Sequence, residues 1–591
     1  MPLLPGHRAL ARPAARWLSL LVVASLIGAC AQLPQDVARP VSHALSSTQA
    51  TPLAQLVNER RPPEIPPSQS GFLLLSGAAE AYGARLALVE AAQKTLDLQY
   101  YAIHADASTA RLFVAIRQAA QRGVRVRILL DDLHSAGHEA VVMGMAFVPN
   151  IEMRVFNPLA GPRGSAVGRY INAIDDARQL QQRMHNKLFI ADNVMAVTGG
   201  RNLGDAYFDN DSKGNFVDLD VLSAGPITSD FSRSFDDYWN NDLAYPVQSL
   251  VTEEELHKLR RRARSPDDRA TGAAADARAP VEAPAPAPAG QADRPSPEQR
   301  AHAWNEQPLD LRQARYTWAP AVVVADKPAK IASAATAPSS AAAPAERAHG
   351  LVVTRANGSP DSLESRAAAA SAAAPADETV VDGLLKLFDR VTSELTIVSP
   401  YFVPGPDMKA ALAAARARGA RVRVLTNSLA SNDAAAAHAG YARHRMELLA
   451  MGVELYEMRS EQGTAGLSLG SSGASTPGAS GTSRSMLHSK VLVADQKLIV
   501  VGSMNLDLRS QLQNTEVALL IRDDRLAQAA AQRIEEGMRK GAWRVESVGG
   551  TLTWHAPEGS GLADTTVEPD TSLGLRLMMK IFGPLAPDKL L

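Results

Sequence analysis

The chain has 591 residues, more than one ordinary domain needs. Its 61 Lys and Arg are balanced by 62 Asp and Glu, and a net charge of -1 excludes a protein built mainly to coat nucleic acid while leaving room for a local basic cleft. Hydrophobic residues make up 46%, enough for a real core, and the single cysteine, Cys30, excludes any intramolecular disulfide.

In chain order, the first feature is a basic leader of His7, Arg8, Arg12 and Arg16 before an apolar run from Trp17 to Ile27. The run is shorter than the ~20 residues a spanning helix needs. It fits the core of a signal peptide over residues 1–29. Ile27-Gly28-Ala29-Cys30 is similar to a bacterial lipobox, in which the thiol is lipidated and becomes the new N-terminus. The alternative is an ordinary signal peptide with an incidental cysteine. The lipobox is favoured because the only cysteine falls where that chemistry needs a thiol. The expectation is a protein lipid-anchored in a bacterial cell envelope, held on the membrane surface through Cys30 and facing the periplasm. Ala31 is not an aspartate, which favours the outer over the inner membrane. Residues 30–70 are polar and Pro-rich and read as an extended tether.

Two half-chains then look alike, over 71–260 and 380–545. In the first, Leu96–Tyr101 reads as a strand, a helical pattern runs to about Arg122, and a second strand follows over Val124–Leu130. In the second, Leu395–Val398, a helix to about Arg418 and Ala420–Leu425 repeat the order. Arg122-Gly-Val-Arg-Val-Arg-Ile echoes Arg418-Gly-Ala-Arg-Val-Arg-Val. Strands alternating with helices predict an α/β fold with a mixed sheet covered by helices in each half. The duplication predicts two similar lobes that could pack face to face.

Residues 261–379 separate the halves. They are Ala/Pro-rich and low in complexity around an island near 302–331 that carries Trp304, Tyr316, Trp318 and Val322–Val324 and should pack on the fold. The flanking segments hold too little apolar bulk to offset ordering entropy. A Gly/Ser/Thr-rich stretch from Gly463 to about Arg484 reads as a tolerated surface insertion, with a loop at a site mouth as the alternative. A tail over 546–591 ends in the apolar Leu573–Phe582, with Arg576 and Lys580. It could lie on a membrane surface or pack as a core helix.

Each half carries one H-x-K-x-x-x-x-D motif, His185, Lys187, Asp192 and His488, Lys490, Asp495. On a strand, His and Lys share a face and Asn186 or Ser489 points away. These six are the candidate catalytic set, although the aspartates close the strand in a turn and could have a structural task. Asn202 and Asn505 each lie 17 residues beyond their own histidine, and Asp220 and Glu516 offer carboxylates on apolar strands. Together they form a phosphoryl-transfer kit. One histidine attacks phosphorus and becomes a phosphohistidine. The other protonates the leaving alkoxide and then deprotonates the incoming alcohol. Lys and Asn stabilise charge on the phosphoryl oxygens. Asp220 and Glu516 could each accept a hydrogen bond from a histidine and fix its tautomer. No His/Cys cluster stands at metal-ligand spacing, so the expected mechanism uses no metal and no cofactor.

Two complete motifs with matched downstream Gly and Asn resemble the HKD motifs of the phospholipase D superfamily, and more narrowly bacterial C-type cardiolipin synthases. Leu98–Tyr101, Asn150–Pro158, Gly199–Phe208, Ser399–Pro404, Leu425–Ser428 and Gly452–Tyr456 carry the narrower likeness. The resemblance implies one cleft shared by both lobes, with His185 and His488 across one phosphate. It favours His185 as nucleophile and His488 as general acid and base, roles that the near-symmetric halves do not themselves assign. It implies transfer of a phosphatidyl group onto phosphatidylglycerol, with phosphatidylethanolamine as a candidate donor. His438 and Tyr441 match the family and sit one helical turn apart. They could line an acceptor pocket or belong to an ordinary helix surface. A hydrolase releasing phosphatidic acid, a nuclease and a non-enzymatic scaffold are the alternatives. No nucleic acid partner is expected, and no protein partner can be named.

Overall fold

The computed structural model describes residues 33–45, 50–132, 139–160, 180–257, 295–331, 351–353, 379–460 and 484–582. Cys30 and the segment read as a signal peptide, most of the Ala/Pro segments and the Gly/Ser/Thr-rich stretch lie outside the described residues.

Each half builds a mixed sheet. Along the first, the strands run Thr317–Ala319, Ser70–Leu75, Asp220–Ala224, Met195–Gly199, Leu188–Ala191, Thr95–Tyr100, Arg125–Asp131, Ile151–Phe156 and Ala244–Pro246. The second runs Leu351–Val353, Ala321–Asp326, Val517–Arg522, Leu498–Gly502, Val491–Ala494, Glu394–Val398, Arg421–Asn427, Glu454–Met458, Ala542–Val548 and Thr551–His555. The central parallel strands are largely buried on both faces, and they alternate apolar residues such as Leu96, Val126 and Val422 with buried polar ones such as Asp97, Arg127 and Arg423. The helices start where capping side chains stand. Asp106 accepts from Thr109 N before Ala107–Gln121, and Thr379 and Asp382 form a capping box before Val380–Phe388. The echoed Arg-Gly pairs end the helices of the two halves in the same way. Gly123 and Gly419 take φ of 93° and 89°, and Arg122 and Arg418 donate to the carbonyls of Val89 and Phe388.

The outer face of each sheet has its own core, under helices such as Ala78–Ala91 in the first lobe and Pro406–Ala417 in the second. The inner faces share a third. Phe72, Leu188, Val221, Phe235 and Trp239 of the first lobe pack in one cluster with Val398, Leu487, Val491, Val501, Leu519 and Ile534 of the second. Each large side chain buried there contributes roughly 1.5–3 kcal/mol. The lobes are therefore two halves of one folded unit.

Three boundaries differ from the sequence reading. The tether is not extended throughout. Thr51 caps a helix over Pro52–Arg60 whose Leu53, Leu56 and Val57 enter the first-lobe core, and Arg127 and Arg154 hold the backbone of Ser42 and Pro40. The island begins earlier, with a capped helix over Pro297–Asn305. It then divides between the lobes, Thr317–Ala319 completing one sheet and Ala321–Asp326 joining the other. The tail contributes the edge strand Thr551–His555, and its helix Leu573–Phe582 is not a core helix, since Leu573 is 75% and Leu577 56% exposed.

Candidate active site

The two His-x-Lys tripeptides stand just before their strands, which begin at Leu188 and Val491. Each is pinned from the opposite lobe. His185 N donates to Thr515 O at 2.9 Å, and His488 N donates to Val217 O at 2.9 Å. Strand Arg484–Leu487, leading into the second motif, pairs in parallel with Gly214–Val217 of the first lobe. The intervening residues turn into this seam, where Asn186 Oδ1 accepts from Thr515 Oγ1 and Ser489 Oγ donates to Val217 O. Asp131 and Asn427 occupy matching positions, accepting from Met184 N and Leu487 N.

The residues that follow those two carbonyls supply the carboxylates, so each histidine is oriented across the seam. His185 Nδ1 lies 2.9 Å from Glu516 Oε2, and His488 Nδ1 lies 2.7 Å from Asp218 Oδ2. Glu516 is where the sequence reading put it. Asp220 is not the partner of a histidine. Sheet register sets Asp220 opposite Gly199 and Ala518 opposite Gly502, so the counterpart of Glu516 is Asp218, two residues earlier on the same face. Asp220 instead binds Arg85 Nη2 at 2.9 Å and Arg201 N. The two carboxylates are supported differently. Glu516 also accepts from Ser503 Oγ and from Ser510 Oγ at 2.8 Å, and its backbone is tied to Asp326, which Lys330 holds at 2.7 Å. In the first lobe Gly200 stands where Ser503 stands in the second. A Cβ there would come 2.3 Å from Asp218 Oδ1, so only glycine lets that carboxylate sit so close.

Both histidines and both lysines are buried. Lys187 Nζ and Lys490 Nζ donate to the carbonyls of their own histidines at 2.8 and 2.6 Å. Burial pushes Lys187 down to about 7 and Lys490 down to about 8. Burial, reinforced by the two lysines, holds His185 well below its ordinary value. His488 is lowered by burial and Lys490, with Asp218 opposing. Burial would raise Asp218, but the hydrogen bond and charge of His488 outweigh it and hold the carboxylate below its ordinary range. Glu516 is raised by burial.

The histidines open on one cleft of about 770 Å³, also lined by Tyr101, Tyr207, Phe216, Asn202 and Asn505. Tyr101 packs edge-on to His185, with ring centroids 4.9 Å apart, and Tyr207 and Phe216 flank His488. Asn202 is engaged at both ends, accepting from Ala102 N and donating to Tyr207 OH, so it positions the tyrosine.

Two sets of candidates lie elsewhere. Asp192 accepts from the backbone N of Gln93, Lys94 and Thr95, and Asp495 from that of Thr392, Ser393 and Glu394. Each begins a turn with positive φ at two successive residues, at the far end of the motif strand from its histidine. They are structural clasps, not catalytic groups. His438 and Tyr441 do not line the cleft. His438 Nε2 is 3.0 Å from Arg445 Nη2, and Tyr441 OH donates to Glu457. Arg445 also binds Glu568, which fastens this buried helix to the tail.

Two histidines on two cross-lobe carboxylates, opening on one cleft with a buried lysine bonded to the backbone of each, match the chemistry of phosphoryl transfer. The domain described as "Cardiolipin synthase, PLD-like domain" matches twice, over residues 86–239 and 384–538. The chain belongs to this phospholipase D-like family. It is 31% identical to cardiolipin synthase C of Escherichia coli K12 over 543 residues, covering 89% of this chain and 97% of that one. It is 28% identical to an uncharacterized protein of Helicobacter pylori over 91% of this chain and 92% of the other. Among solved structures, a phosphatidylserine synthase from Haemophilus influenzae aligns over 88% of this chain and 94% of its own, at a TM-score of 0.48 and 13% identity. Like other enzymes of the cardiolipin synthase-like family, the protein is a phospholipid-modifying enzyme with two phospholipase D-like repeats. The groups the sequence reading missed are Asp218, Tyr207, Phe216, Ser503, Ser510 and the Asp326–Lys330 pair. Asp218 was within reach, since it shares the parity of Asp220. The island residues carry no local signal of their role.

Proposed function

We propose that the protein is a phosphatidyltransferase that makes cardiolipin from phosphatidylglycerol, with phosphatidylethanolamine as donor. The observation that carries this reading is the crossed pair of buried histidine–carboxylate contacts in a single cleft. Because each Nδ1 is taken, Nε2 of each ring is the nitrogen left to react. His185, the more strongly held in its neutral form, suits the nucleophile. Its Nε2 attacks the donor phosphorus, the bond from phosphorus to the headgroup oxygen breaks, and protonated His488 gives its proton to the departing alkoxide. His488 stands against an anionic Asp218, which suits a group that must carry an extra proton. Neutral His488 then takes the proton of a phosphatidylglycerol hydroxyl. That oxygen forms the new phosphoester bond, the phosphorus–nitrogen bond breaks, and His185 is regenerated. Lys187 and Lys490 hold the phosphoryl oxygens throughout, and a bound phosphate favours their charged forms.

The test is lipid mass spectrometry on purified protein with mixed phosphatidylglycerol and phosphatidylethanolamine, beside a His488→Ala control. Cardiolipin formed only by the unmodified protein, and only with phosphatidylethanolamine present, is the expected result. Phosphatidic acid alone would mean that water is the acceptor and that the enzyme is a phospholipase D.

A further inference from the structure

The transfer proposed above needs two lipids in one cleft. The donor phosphate is provided for by Lys187 and Lys490. Among the described residues, the cleft wall itself carries one Lys or Arg side chain. Arg509 lies on the short helix Leu508–Leu512 and lines the cleft with the histidines. Its Nε has no hydrogen-bond partner among the described residues, and the charge of the guanidinium acts on the neighbouring Asp507, which lines the same cleft. Asp507 has its Oδ1 committed as the helix cap, accepting from Ser510 N at 2.7 Å, so it is not hydrogen-bonded to the Arg509 Nε. A guanidinium with an unpartnered Nε in the cleft wall, in addition to the two lysines buried behind the histidines, is more than one phosphate requires.

Arg509 does not stand alone. Asn514 N donates to Arg509 O at 2.9 Å, which closes the turn and keeps the two residues on one lip of the cleft. Asn514 is 6% exposed, lines the same cleft, and its Oδ1 has no partner among the described residues. Asn505 Oδ1, also in the cleft wall, is likewise unpartnered. Between Arg509 and Asn514, Leu512 points outward and is 51% exposed. The first lobe offers nothing comparable. There the residue 21 positions beyond the histidine, where Arg509 stands in the second lobe, is Ala206, and Asn202 is fully engaged.

We propose that Arg509 and Asn514 form the seat of the acceptor, an anionic lipid whose headgroup carries free hydroxyls. Its phosphodiester lies against the Arg509 guanidinium and its polyol against the Asn514 amide, while Leu512 meets the acyl chains. This rests on the transferase reading and deepens it, because the seat discriminates among acceptors rather than donors. A guanidinium suits a phosphodiester better than an ammonium does, since it offers paired donors in a fixed plane.

The experiment compares three acceptors with one donor. Phosphatidylethanolamine vesicles are given phosphatidylglycerol, free glycerol or water alone, and cardiolipin, phosphatidylglycerol and phosphatidic acid are measured as the respective products. In Arg509→Met, cardiolipin formation should fall about tenfold or more relative to the other two products, as expected for a lost charge-assisted contact. Arg509→Lys should fall between. Asn514→Asp, which sets a like charge beside the acceptor phosphate, should lower cardiolipin formation selectively as well. Phosphatidic acid release by each variant reports that it is folded. An equal loss of all three products in Arg509→Met overturns the seat and leaves the transferase reading standing. If the unmodified enzyme makes phosphatidic acid and no cardiolipin, the transferase reading falls and the seat falls with it.

Discussion

The two half-sites carry the same motif in the same fold, yet their surroundings differ. His185 faces a glutamate that three hydrogen-bonding side chains share and that burial pushes up. His488 faces an aspartate whose Oδ2 receives its ring and which is held anionic. Gly200 in one lobe and Ser503 in the other produce much of that contrast, the first admitting the carboxylate and the second bonding to it. On the proposed mechanism, a duplicated frame would acquire two roles through what surrounds each ring. Paired groups whose environments push their proton affinities apart are the usual route to an acid/base division of labour.

The strongest way to break this comparison is to remove each ring. Either His185→Asn or His488→Asn should lower turnover by about 10⁴-fold or more, since the two act as a unit. Intact-mass spectrometry separates them. His488→Asn, given phospholipid, should retain a phosphatidyl adduct mapping to His185, and His185→Asn should retain none. An adduct on His488 would reverse the roles. A smaller difference is expected one step out. Asp218→Asn should cost about 10²–10³-fold in kcat and Glu516→Gln less, because only the first removes the anion that steadies a protonated ring. Equal losses would show that both carboxylates merely orient.

The smallest effects on chemistry belong to the two clasps. Asp192→Ala and Asp495→Ala should leave the histidines in place while lowering stability by about 3 kcal/mol through lost charged hydrogen bonds, measured by urea unfolding. The fully buried Asp192 should cost the more. Backbone hydrogen bonds from Glu394, Ser393 and Thr392 outweigh burial and hold the Asp495 carboxyl below its ordinary range. Its contribution is therefore present above the unfolded carboxyl value of about 3.9 and is lost as pH falls below that. The stability gap between Asp495→Ala and the unmodified protein should close on acidification. A gap that widens would refute the clasp.

Much of this was legible in the chain. The Arg122-Gly and Arg418-Gly echoes marked the duplication because a left-handed glycine and a capping arginine are local devices. The two histidine motifs were legible for the same reason. What sequence could not resolve were pairings across long separations. His185 meets Glu516 from 331 residues away and His488 meets Asp218 from 270. Between Asp218 and Asp220 the alternation of a strand gives no preference, and only register decides. The helix Pro52–Arg60 was hidden by its Pro-rich neighbours. His438 and Tyr441 looked like pocket residues because helical spacing shows which side chains are neighbours and not what they face.

The division of the island between the sheets has a mechanical consequence. Ala319 is hydrogen-bonded into one sheet and Ala321 into the other, with Pro320 alone between them. A link one residue long gives the two sheets no slack to part at this point. On the proposed reading, two lipids would present their polar ends to the cleft while their tails remain outside. On such an enzyme, selectivity for a lipid would be exercised at the doorway, by whatever lines the lip, before any bond is broken.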